Sequence, residues 1–280
     1  MAMRLKRIDF ILPWFLALTL LPLASIGQTE DWVKLWEVTV ADIDKTATDG
    51  KGNVFITDKQ GYLSQYNSKG EKINQLASSL SAPVTHLDPF NTVSLFLFSA
   101  SLQRFEILDR FLNPIINKSI GETGVLGWVS HASPGNNNSL WVYDESDLKL
   151  KKINLSNNEL LQAQSINTII QKNDLDIVLL MERYNLVFLQ VANDGMYIFD
   201  NQANLIDKIV LSTSKRAVIE DDFFFTVEGN EILKTNYLTK KAKLFPLPEG
   251  YSLDKLALSY QQLLLANKKK VVVFERPKDF

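Results

Sequence analysis

Cysteine is absent from this 280-residue chain. Its absence excludes disulfides, structural zinc held by thiolates and any thiol nucleophile. Histidine is scarce, with two residues, and no Gly-x-Ser-x-Gly elbow occurs, so a serine triad has little to build on. Neither a glycine-rich phosphate loop nor a sialidase-type aspartate box (Ser-x-Asp-x-Gly-x-Thr-Trp) is present. An excess of one charge is missing too: 30 Lys and Arg against 32 Asp and Glu leave a net charge of −2. A nucleic-acid partner, which needs a basic face to displace counterions, has no support in that balance. The one basic run, Lys268 to Lys270, reads as a solvated turn.

The N-terminus reads as a cleaved secretory signal over residues 1–27. Arg4, Lys6 and Arg7 form a basic head, and Ile8 to Leu23 is apolar apart from Asp9 and two prolines. Ser25 and Gly27 then offer small residues for cleavage before Gln28. A membrane anchor is the rival reading, but Pro13 and Pro22 interrupt a stretch already short for a span. No Cys follows it, which excludes a lipoprotein anchor. The expectation is a single domain, residues 28–280, periplasmic or secreted, with no membrane span after cleavage. An Asn- and Lys-rich exported chain without Cys also looks bacterial.

What the chain has is repetition. Gly52 to Leu76 (GNVFITDKQGYLSQYNSKGEKINQL) and Tyr184 to Leu211 both read strand, polar turn closing on Gly, strand, polar turn, strand. Looser copies begin at Val93, Ser139 and Phe223, and a sixth from Gln261 stops one strand early. Anchors at Val54, Leu95, Leu140, Val187, Phe224 and Leu263 recur every 37 to 47 residues, about the period of propeller blades. An innermost strand for each unit is expected at Ala41–Thr48, Pro83–Asp88, Leu126–Ala132, Ile166–Lys172, Arg216–Asp221 and Leu253–Ser259. The fold expected is all-β, a six-bladed β-propeller. The leftover segment Trp32 to Val40 should complete the last blade, capping its open edge and covering two indoles. Phe96, Phe98, Trp141, Tyr143, Phe188, Phe199 and Phe223 to Phe225 are expected between blades.

Thr48 to Gly70, TDGKGNVFITDKQGYLSQYNSKG, resembles an NHL-type repeat, with Asp and Gly before the second strand, Asp after it and Gly opening the third. With its LDPFNTVSLFLF and NNSLWVYDESDLKLKKIN stretches, the chain resembles exported six-bladed NHL-like β-propeller proteins of Bacteroidetes. One exported Bacteroidetes protein, the plug subunit of the type IX secretion translocon, blocks the periplasmic mouth of a large outer-membrane barrel, a role that a compact propeller would suit. The resemblance implies a similar plug-like docking role, with a protein partner such as an outer-membrane β-barrel complex.

Candidate site residues follow from the expected register. His86 and His131 each lie nine positions before their blade's anchor, and the same offset falls on Lys45, Lys215 and Asp254. These five are expected to line the channel at one level. A hydrated channel whose polar groups satisfy one another is the plain reading, and a small-ligand site the alternative. A metal-dependent hydrolase of the gluconolactonase type would need oxygens from Asp42, Asp44, Asp88, Asn167, Glu220 to Asp222 or Asp254 to converge. No family pattern links them, and Glu220 to Asp222 reads as a turn. The expectation is a non-catalytic interaction module without metal or cofactor. Trp128, beside the loop GETGVLG, and Arg104, in the turn after Ala100, are the candidate partner-binding residues.

Overall fold

Strand ends in this protein are set by Asp and Asn side chains. Asp58 Oδ1 accepts the backbone N–H groups of Gln60 and Tyr62, at 2.9 and 2.8 Å. Asp109 does the same for Phe111 and Asn113, and Asp200 for Gln202 and Asn204. An Asx side chain that ties down backbone two and four residues on makes a tight turn of a polar segment. The fourth residue of these turns is left-handed, with φ of 85° at Gly61, 66° at Leu112 and 65° at Ala203. Glycine adopts that conformation freely, whereas Leu112 and Ala203 each bear about 1 kcal/mol of strain, offset by burial in the core.

The computed structural model describes residues 32–77, 80–91, 93–171, 175–248, 251, 254–278 and 280, and the signal segment read from the sequence lies outside them. Six antiparallel four-stranded sheets stand as six blades. Blades one to five are contiguous meanders with inner strands Ile43–Thr48, His86–Asn91, Val129–Gly135, Ile177–Arg183 and Val218–Glu220. Blade six takes Lys255–Leu258, Gln262–Ala266 and Lys270–Glu275 from the end of the chain and Lys34–Thr39 from its beginning. Lys34 pairs with Phe274 and Thr39 with Lys270.

The core is divided among the blade interfaces. Phe96, Phe98 and Phe105 of blade two pack on Leu140 and Val142 of blade three, whose other face sets Trp141 and Tyr143 against Leu180 and Leu189 of blade four. The ring closes through Val54 and Ile56 of blade one against Leu264 and Val273 of blade six. Side chains alternate across a strand, so the two faces of each blade feed two different clusters. The middle strands, which touch both neighbours, are therefore buried on both faces: Ser94–Ser99 and Ser139–Asp144 are buried along almost their whole length.

The outer strand of blade six reaches both of its neighbours. Trp32 Nε1 donates to Pro246 O of blade five at 3.0 Å, and its ring packs edge-on against Phe274 and Phe280. Trp36 Nε1 donates to Ser68 O of blade one at 3.0 Å and stacks on Tyr66. Gly70, at φ 84°, lies under that indole, and a Cβ there would stand 2.7 Å from Trp36 Cδ2.

One expected element is corrected. Ile166–Lys172 is not an inner strand, because Asn167–Ile170 forms a single helical turn that Gln171 ends at φ 52°. Ile166 and Ile170 share one side of that turn and both enter the core between blades three and four. The inner strand of blade four is Ile177–Arg183, IVLLMER, five apolar residues followed by Glu182 and Arg183 and joined to the next strand by Tyr184 and Asn185, both at positive φ. A two-residue turn of that kind matches strand twist and splits the run without Gly or Pro.

Candidate functional site

The inner strands bring a set of basic side chains to one height. Across the ladder Lys45 faces Thr57, His86 faces Phe98, His131 faces Tyr143 and Lys255 faces Ala266. Each of those partners lies three residues past its blade's anchor. Leu179, opposite Gln190, takes this height in blade four. In blade five Val218 pairs with Phe225, so Arg216, two residues earlier, continues the same face. Five of the six blades thus present a nitrogen base or cation at one level.

Lys45, His131, Arg216, Lys255 and Asp254 lie on the wall of a central channel of about 500 Å³, with Asp88 and Arg183 nearer the opposite mouth. His86 sits behind the wall, 2% exposed, with its ring edge-on to Phe96. Lys215 gives its place on the wall to Arg216. Its carbonyl accepts Gln190 Nε2 at 2.8 Å while Gln190 Oε1 takes the Ala217 N–H, also at 2.8 Å. Arg183 and Arg216, absent from the sequence-derived set, are the two guanidinium groups that line the channel among the described residues.

At this level Asp88 acts on Arg216 and Asp254 and Asp44 act on Lys255, whereas no carboxylate acts on His131. Burial holds His131 down to about 3, and the charges of His86, Arg216 and Lys45 push the same way. His86 is held down to about 4 by burial and then by Arg216, against the pull of Asp88. Both imidazoles are therefore neutral near pH 7. Asp88 is 2% exposed, and although burial opposes its ionisation, Arg183 and His86 hold it below the ordinary carboxylate range. Its Oδ1 pairs with Arg183 Nη2. Its Oδ2 and His86 Nε2, 3.6 Å apart, have no hydrogen-bond partner.

Other acids on the wall are already engaged. Asp49 closes its own turn on Lys51 and Asn53, Glu220 pairs with Arg276, and Asp221 Oδ1 accepts from Tyr184 Oη at 3.4 Å, while Asp254 stands beside Lys255, on whose charge it acts. Asn167, a metal-ligand candidate by sequence, belongs to the helical turn rather than to an inner strand. Among the described residues no three Asp, Glu or His side chains gather closely enough to hold a metal ion.

The second candidate region surrounds Trp128. A 3-10 turn at Gly121–Thr123 ends at Gly124, φ 88°, and the chain then runs out to Leu126, 94% exposed, and Trp128, 49% exposed. Gly127 is pinned against the Asp144 carboxylate, where a Cβ would stand 2.0 Å from Oδ1, and the Trp128 N–H donates to Ser146 Oγ at 2.8 Å. Arg104 is connected to the same junction. Its neighbour Gln103 bonds both the N–H and the C=O of Val129 through its side-chain amide. Arg104 itself donates to Asn117 Oδ1 at 2.7 Å.

No protein-family model and no curated protein matches this sequence. Among solved structures, the chain is similar to the WD40 domain of Pan2 from Neurospora crassa, at 11% identity and TM-score 0.59, over 89% of this chain and 97% of that one. It is similar to the β-propeller domain of Cps50 (Swd1) from Myceliophteria thermophila, at 9% identity and TM-score 0.60, over 88% and 99%. A streptogramin B lyase aligns at 9% identity and TM-score 0.61, over 89% and 99%. At such identities the likeness shows the six-bladed β-propeller fold and assigns no activity.

Proposed function

We propose that this protein is a non-catalytic, exported interaction module, a rigid disc that docks on a larger complex in the outer membrane, plug-like, as at a type IX secretion translocon. The observation that carries the reading is the loop from Gly124 to Trp128. It holds two large apolar side chains in the open, Leu126 and Trp128, on backbone fixed by Gly124, by Gly127 against Asp144 and by the Ser146 hydrogen bond. Leu160, 54% exposed, lines the same hollow as Leu126 and widens the apolar surface. Preformed aromatic and aliphatic anchors lose little entropy on binding and carry most of the energy of an interface. The resemblance of the chain, with its LDPFNTVSLFLF and NNSLWVYDESDLKLKKIN stretches, to exported Bacteroidetes propellers supplies the class of partner. No helix among the described residues is long and apolar enough to cross a membrane.

The test compares copurification from native membranes for the wild type, Leu126→Asp, Trp128→Ala and Arg104→Ala. Leu126 makes the cleanest probe because its side chain contributes almost nothing to the fold. Lost copurification at an unchanged melting temperature is the expected result. A wild-type protein that copurifies with no membrane complex rules the proposal out.

A further inference from the structure

Propeller channels fill with water, and water alone satisfies most of what lines them. The level of Lys45, His131, Arg216 and Lys255 differs in the sign of what it offers. The Arg216 guanidinium, on the channel wall, makes no hydrogen bond or ion pair among the described residues. Lys255 forms no ion pair there either, and Lys45 stands 3.5 Å from Asp44, whose other oxygen is occupied by the Val84 N–H at 2.9 Å. His131 Nδ1 is 3.1 Å from Ser130 Oγ, and the permanently charged groups that act on it are Arg216 and Lys45, with no carboxylate among them. One step along the channel, Asp88 is ion-paired to Arg183, so its single charge is shared between that guanidinium and Arg216.

We infer that the channel is a binding site for a small oxyanion, a molecule bearing a phosphate or a cluster of carboxylates, held by Arg216 and Lys45 with Lys255 and the neutral His131 as further donors. A planar guanidinium with free N–H groups matches two oxygens at once, and an ammonium adds charge without fixed geometry. The partly enclosed channel strengthens these attractions over their value in water. At about 500 Å³ the space takes a ligand well above the size of a bare ion. This site is independent of the Leu126 loop, so either reading can fail alone.

Inorganic phosphate and citrate are the probes, titrated calorimetrically into the purified full chain against sodium chloride of equal ionic strength. Binding of at least one is expected, weakened tenfold or more by Arg216→Gln and several-fold by Lys45→Met. Lys72→Met, on an exposed outer strand, should bind as wild type. A measurement on the wild type guards against variants that misfold. The chain has only two histidines, so imidazole carbon-bound proton resonances report the channel directly. Phosphate or citrate should move the His131 signals, and His86 less. No binding beyond the chloride control overturns the inference. So does binding that leaves both imidazoles unmoved, or that survives both channel substitutions, since the anion then sits elsewhere.

Discussion

Replacing Trp32 and Trp36 by Ala, singly and together, probes how the disc is held shut. Each indole loses one N–H to C=O bond at 3.0 Å, worth about 1 kcal/mol net. Trp32 also loses two edge-on ring contacts, to Phe274 and Phe280 at 5.9 and 6.0 Å, and Trp36 a stacked one to Tyr66 at 6.2 Å. Such pairs add about 0.5–1.5 kcal/mol beyond burial. Full removal of a core aromatic costs about 3–5 kcal/mol, but both indoles are half-buried, so about 2–3 kcal/mol each is the expected loss. Four residues of strand separate them by about 13 Å, and they contact different blades, so the two losses should add. The assay is thermal unfolding followed by near-ultraviolet circular dichroism. At about 2–4 °C per kcal/mol for a chain of this size, each single variant should melt some 4–12 °C lower. A double variant that melts like the wild type would refute the clasp. A double variant no worse than one single would show that the strand detaches as a unit once either anchor is gone.

Three further outcomes are expected. Glu182→Ala removes the acceptor of the fully buried Trp141 N–H and the partner 3.8 Å from buried Lys152, and should cost about 3–5 kcal/mol in urea unfolding, with Glu182→Gln milder. The histidines make stability pH-dependent in one direction. Their folded values lie below the unfolded 6.5, so their contribution is complete above that pH and is lost on acidification toward about 4. His86 accounts for about 3 kcal/mol of this, and His86→Gln should flatten the profile between pH 6.5 and 4, whereas equal slopes for variant and wild type would refute the assignment. Asp200→Ala frees the N–H groups of Gln202 and Asn204 and the Asn204 side-chain amide, and should lower stability by about 1–2 kcal/mol with the blade's register retained.

The blades were legible because their turns are written in residue chemistry. Asp58, Asp109 and Asp200 announce hairpins through the same hydrogen bonds that form them. Blade four's inner strand was hidden for the converse reason, since its first five residues, Ile177 to Met181, are apolar without alternation and its turn, Tyr184 and Asn185, carries no Gly or Pro. The channel level was legible in part. A nine-residue offset places Lys45, His86 and His131, but the hairpins of blades five and six turn on two residues, Asp221–Asp222 and Tyr260–Gln261, one fewer than in blade three. The offset there is eight, which exchanges Lys215 for Arg216 and Asp254 for Lys255. One residue of turn length thus separates a mixed ring from a basic one. The Leu126 loop was half visible, since Trp128 drew notice by its glycines while Leu126 had no distinguishing signal.

Blade six joins Lys34 to Phe274, about 240 residues apart along the chain, while every other blade closes on a contiguous stretch. A chain made from its N-terminus therefore carries its first strand unpaired until its last one is complete, and ring closure comes after the other blades have formed. In that interval Val271–Phe274 offers a free edge, and Lys34–Thr39, with Trp36 on it, is a strand in search of one. The pairing that shuts one molecule would equally join two, with the leading strand of each completing the last blade of the other. Dilution favours the closed monomer, because the tethered strand competes at a fixed local concentration. Crowding of unfinished chains favours the exchange.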